Sequence, residues 1–233
     1  MNRLKTVLTL SIMLLALGFF SVAQADVLKP FILGKTIPGT MTEVVSRTST
    51  KLIEQGFTIV GTYSPYPSAT VICASHPYLS AAASKAENGG FGAAQRVAIT
   101  NVDSKLQVTY VNPAYIGTAY GLGKLESISK KLEAALGREQ EFGSEKGIKE
   151  EKLAPGKYHY KIMMPYFDDV HKLNTFDDHK TAVKTVEENL SAGKGGTMKV
   201  YRIDLPDKDV SVFGVAITKG DGVDEGRKDT DKE

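Results

Sequence analysis

Cys73 is the only cysteine in the 233-residue chain, so no disulfide within the chain can hold it together and any fold must be stabilised by packing. The constraint has weight because the chain opens like an exported protein. Arg3 and Lys5 precede an apolar run from Val7 to Phe20 and the small-x-small ending Ala23-Gln24-Ala25, which predicts a secretory signal peptide over residues 1–25, cleaved after Ala25. Asp26 follows, with no thiol for lipid attachment, and no later segment has the roughly 20 apolar residues of a membrane span. The expected product is free in the periplasm or secreted. It has no membrane partner once the signal is gone.

Arg3 and Lys5 are the only charges of the expected signal, so cleavage leaves 27 basic against 27 acidic residues and a formal net charge of zero. Binding to a phosphate backbone draws on a basic excess, so nucleic acid is not an expected partner. The remaining length suffices for a real core, since chains near this size bury about 70% of their unfolded surface.

Local signals divide the rest. Residues 28–33 read as a strand ended by Gly34 and Pro38-Gly39; Thr40 and Glu43 have capping-box spacing for a helix over 42–55, with Gly56 at its C-terminal cap. Residues 57–63 and 69–74 read as strands separated by a loop containing Pro65 and Pro67. The Ala, Ser and Gly-rich stretch 80–94 predicts a long mobile loop with at most one helical turn. Strands return at 96–100 and 106–111, Asn112-Pro113 opens a helix, and Leu125, Ile128, Leu132 and Leu136 mark a second one ended by Gly137. Further on, 158–164 alternates like a strand, Thr175 and Asp178 precede a helical stripe from Ala182 to Leu190, and 198–205 and 210–218 read as strands.

The expected fold class is α+β, an antiparallel sheet with helices packed on one face. Two related α+β units are an open alternative, because the order strand, helix, strand, strand recurs. The expected divisions are the signal (1–25), a first domain (26–137), a polar linker (138–156), a C-terminal strand-helix-strand-strand unit (157–218) and a charged, disordered tail (219–233).

The stretch 42–137, with Gly56 closing a helix and a strand running through Tyr110 into Pro113 and Tyr115, resembles the domain-of-unknown-function 302 family. The resemblance implies a small α+β domain that often self-associates. It carries no agreed activity. The chain departs from the family pattern at Ala74-Ser75-His76-Pro77, where members commonly have a Phe-Gly-Asn-Pro-like segment, and it lacks a Leu-Pro pair before Arg96.

Two sets of residues are candidates for chemistry. Tyr110, Asn112, Tyr115 and Tyr120, with His76, are candidate ligand-binding residues beside the 80–94 loop, although Asn112 also suits a helix cap and tyrosines also suit packing. Asp168, Asp169, His171, Asp178 and His179 supply oxygen and imidazole ligands for a divalent metal, while Asp177 and Asp178 equally suit a helix start. Cys73 near His76 invites a thiolate, yet its apolar neighbours favour a packing role. No phosphate-loop motif is present, no cofactor is expected, and no residue is assigned as catalytic. The favoured function is a non-enzymatic binding or accessory protein with a small-molecule ligand. The alternatives are a metal- or thiol-dependent enzyme using the 168–179 cluster or Cys73, and a self-associating homo-oligomeric subunit.

Overall fold

The computed structural model describes residues 27–217, so the expected signal peptide and tail lie outside the described residues. The first elements form where local signals agree. After β1 (Val27–Leu28) and β2 (Phe31–Ile37) comes α1 (Met41–Glu54), capped by a true capping box: Thr40 Oγ1 accepts from the Glu43 amide, and the Thr40 amide donates to Glu43 Oε2 at 2.8 Å. Gly56 ends it at φ +85°. β3 (Thr58–Tyr66) and β4 (Ala69–Ser75) follow. The loop expected around Pro65 and Pro67 is thus shorter. Pro65 lies inside β3 where the register slips between Tyr63 and Tyr66, so its missing N–H disturbs no regular ladder.

Next come α2 (Pro77–Ala83) and a short 3-10 turn (Gly89–Gly92), then β5 (Gln95–Val102) and β6 (Lys105–Val111). The mobile loop expected over 80–94 is therefore corrected: Ala83, Gly89, Gly92 and Ala93 are all buried. Small side chains there mark close packing. A Cβ on Gly89 would lie 2.3 Å from the Ala83 carbonyl oxygen, which leaves no room for a larger residue.

α3 (Pro113–Ala119) and α4 (Glu126–Leu136) precede β7 (Gln140–Phe142), β8 (Ile148–Lys149) and α5 (Glu150–Leu153). Six strands make one antiparallel sheet in the order β3-β4-β5-β6-β2-β7. The segment 138–156, expected as a linker, instead supplies an edge strand of this sheet, a strand paired with β1, and the buried Leu153. Its apolar residues are few, but each is placed to pair or pack.

Strand alternation assigns the two faces. Ile72, Val97, Ile99, Val108 and Tyr110 point to one side, where they pack with Val44 and Leu52 of α1 and Ile128 and Leu132 of α4 in the main core. The fold is α+β, with these helices on one face of an antiparallel sheet. Cys73, opposite Gly61 in β3, points to the other side.

That second face receives the C-terminal hairpin, β9 (Thr197–Asp204) with β10 (Ser211–Ile217), preceded by α6 (His179–Ser191). Ile203 and Leu205 bury themselves against Ala83 and Ala93, with Tyr201 and Val212 at the margin. Approach is close at Gly61, where a Cβ would lie 2.2 Å from the Val200 carbonyl oxygen. The strand expected over 158–164 is absent, because no neighbouring strand offers it a ladder. Residues 157–178 carry no helix or strand, and the C-terminal unit lacks the first strand a duplicated unit would need.

Candidate functional site

Aromatic residues from three separate segments converge where the 3-10 turn, the end of α3 and the 157–178 segment meet. Phe91 and Tyr120 have ring centroids 5.2 Å apart, and Tyr120 and Phe167 are 5.5 Å apart in the same tilted arrangement. Phe167 also meets Tyr115 and Tyr158, each at 6.3 Å and edge-on. A hydrogen bond from the Phe167 amide to the Tyr158 carbonyl at 2.8 Å turns the chain back and presents the Phe167 ring. Beside this cluster lies a cavity of about 220 Å³ lined by Glu87, Asn88, Tyr120, Gly121, Pro155 and Asp168, with Ala86.

Asp168 ties the site together. Its Oδ1 and Oδ2 both accept from the Gly156 amide, at 2.9 and 3.1 Å, and its carbonyl accepts from Asn88 Nδ2 at 3.2 Å. Tyr120 sits between opposite fields: burial and the Asp168 carboxylate push its hydroxyl pKa up, while the Arg96 guanidinium pulls it down. Burial first, then the neighbouring Tyr158 and Tyr120, push Tyr115 up to about 12. These phenols stay neutral at ordinary pH and act as hydrogen-bonding groups on an apolar wall.

Of the residues expected at a ligand site, Tyr115 and Tyr120 are here, and Asp168, expected as a metal ligand, joins them. The others lie elsewhere. Tyr110 faces the helix-covered side and donates from its hydroxyl to the Gly137 carbonyl at 2.9 Å. Asn112 is buried, capping α3 through Oδ1 with the Ala114 amide and donating from Nδ2 to the Lys29 carbonyl at 2.9 Å. His76 caps α2 through Nδ1, which accepts from the Tyr78 amide at 3.1 Å, and its ring meets Phe57 edge-on. Cys73 is 1% exposed, and burial pushes its thiol up to about 11, a poor starting point for a nucleophile.

Of the remaining candidate metal ligands, two are spent on local structure. Asp169 Oδ2 accepts from the Tyr166 amide at 2.7 Å, and Asp178 Oδ1 caps α6 from the Thr181 amide at 2.7 Å. His171 is exposed, while His179 Nε2 lies 3.0 Å from Ser211 Oγ. Ser211 donates to Asp204 Oδ1, so His179 carries the shared proton toward Ser211, the reverse of what a serine nucleophile requires. Among the described residues, no group of three His, Cys, Asp or Glu is placed to hold a metal.

Sequence reasoning missed Phe167, Tyr158, Glu87 and Asn88 as site residues. Phe91 gave one signal, as the only large apolar residue in its Gly-rich stretch. Among the described residues, no helix is long and apolar enough to cross a membrane. No protein-family model and no curated protein matches the chain.

Proposed function

We propose that the protein is an exported, non-enzymatic binding protein, periplasmic or secreted, whose aromatic cleft takes a small ligand. The observation that carries the reading is the cavity lined by the Tyr120 ring, which packs against Phe91 and Phe167, together with the polar groups of Asn88 and Asp168, a combination of aromatic wall and few polar groups that suits a ligand pocket. The charged start and Ala-x-Ala ending support export, and Gly56, Tyr110, Pro113 and Tyr115 support kinship of 42–137 with the domain-of-unknown-function 302 family. A fragment screen followed by tyrosine fluorescence tests the cleft, since the chain contains no tryptophan to mask the signal. Hits should lose affinity in Tyr120→Ala. Hits indifferent to that change would place binding elsewhere and refute the reading.

One observation favours a second reading, self-association. The 157–178 segment exposes Ile162, Met163 and Leu173 to 87%, 97% and 94%, with Tyr160, Val170 and others also open to water. Apolar exposure concentrated in one segment is what an interaction surface shows. Sedimentation velocity over a concentration series tests this reading: wild type should associate, and Ile162→Glu with Met163→Glu should stay monomeric. A monomer at every concentration would remove it.

A further inference from the structure

Resting on the cleft reading above, we infer that the ligand is a small organic cation, an amine whose ammonium group lies by Asp168 and Glu87 and whose apolar body lies on the Tyr120 ring. The cavity is lined by two carboxylates and no basic side chain. None of the ion pairs between described residues uses either carboxylate. Among the described residues both acids therefore reach the cavity with no ion-pair partner, and the half-burial of Asp168 beside the Tyr120 ring strengthens its pull on a bound positive charge relative to open water.

Asp168 and Asn88 are fixed before a ligand arrives. The Gly156 amide holds both Asp168 oxygens, and Asn88 Nδ2 is engaged with the Asp168 carbonyl, which leaves Asn88 Oδ1 as a further acceptor. The Tyr120 ring complements the carboxylates, since a ring quadrupole attracts an ammonium group where an anion would be repelled. Arg96 bears on Tyr120 but is not among the lining residues, so the ammonium end is directed toward Asp168. The volume, about 220 Å³, equals the liquid volume of about seven waters, which suits a single ring with a short chain.

Isothermal titration of the full chain lacking the signal peptide, with phenethylammonium, the neutral phenethyl alcohol and the anion phenylacetate, separates charge from shape. The ammonium should bind about tenfold or more tighter than the alcohol, as expected for one charge-assisted hydrogen bond, and phenylacetate should bind weakest. The Glu87→Gln, Asp168→Asn double variant keeps an acceptor for Gly156. It should bind the ammonium no better than the alcohol, with alcohol affinity unchanged and an unaltered melting temperature showing that the fold is intact. If the alcohol or phenylacetate binds as tightly as the ammonium, the cation inference is overturned while the cleft reading stands. If none of the three binds, both are overturned. Ammonium binding that survives in the double variant also overturns the inference.

Discussion

Replacing Gly61 by alanine measures how the C-terminal hairpin is held against the sheet. Gly61 lies in β3 opposite Cys73, and its backbone is not in the left-handed region, so alanine can adopt its conformation. By conformational entropy alone the change should stabilise by about 0.4–1 kcal/mol, through fewer accessible unfolded states. The new Cβ, however, would lie 2.2 Å from the Val200 carbonyl oxygen and 2.9 Å from the Val200 carbonyl carbon, well inside contact distance. Val200 is the residue skipped where the β9–β10 register shifts, so its carbonyl belongs to a bulge turned toward β3. Relief requires β9 to move outward, and overpacking of that kind costs about 1–3 kcal/mol. The net expectation is a loss of about 0–2.6 kcal/mol, read as a melting temperature lower by up to about 10 °C for a chain of this size. Urea and thermal denaturation followed by circular dichroism give both numbers. Because the tightest contact is backbone, adding Val200→Ala, which removes a Cγ1 also 2.9 Å from the new Cβ, should rescue the variant only in part. A Gly61→Ala protein more stable than wild type, or one rescued in full by trimming Val200, would falsify the close docking of hairpin and sheet.

Further outcomes follow from single side chains. Asn112→Ala should cost about 2 kcal/mol in urea denaturation, a cap plus a buried hydrogen bond, whereas Asn112→Asp should keep the cap and still lose the bond to the Lys29 carbonyl. Cys73 should label slowly in the native protein at neutral pH and rapidly in denaturant; fast native labelling would contradict its burial and its thiol pushed up to about 11. Tyr110 and Tyr115, both pushed up to about 12 by burial, should ionise in the fold only after the unfolded chain has lost its phenolic protons near 10. The unfolded state then binds fewer protons, so stability falls as pH rises from about 10 to about 12. Denaturation midpoints flat across that window would refute the shift. Gln95 is fully buried, and neither its amide nitrogen nor its oxygen has a partner among the described protein groups. Gln95→Leu should therefore raise stability by about 1 kcal/mol, and a marked loss in chemical denaturation would show that the amide is satisfied after all.

Much of the framework was legible because its signals act within a few residues. Thr40 with Glu43, Asn112 with Pro113, and Asp178 each cap the helix expected of them, through contacts two or three positions away. Alternation in Leu106, Val108 and Tyr110 marked the covered face of β6, since side-chain period follows from backbone geometry. The same alternation misled at 158–164. A strand needs a partner ladder as well as a pattern, and no neighbouring backbone is aligned there to supply one. The 80–94 stretch misled in the opposite sense, because small residues look like a lack of core until the hairpin packs on them.

Sequence by itself determined the caps, the helix and strand periods, the α+β class and the reliance on packing forced by a single cysteine. Tertiary structure alone decided the site. Phe91, Tyr120 and Phe167 come from a 3-10 turn, the end of a helix and a segment without regular structure, and no local pattern relates them. Asp168 carried the same signal as Asp169, both reading as metal ligands, yet one closes a cavity and the other caps a local turn. The physical reason is range: capping and periodicity are energies between neighbours in sequence, whereas a cleft is made by which surfaces the folded chain brings together.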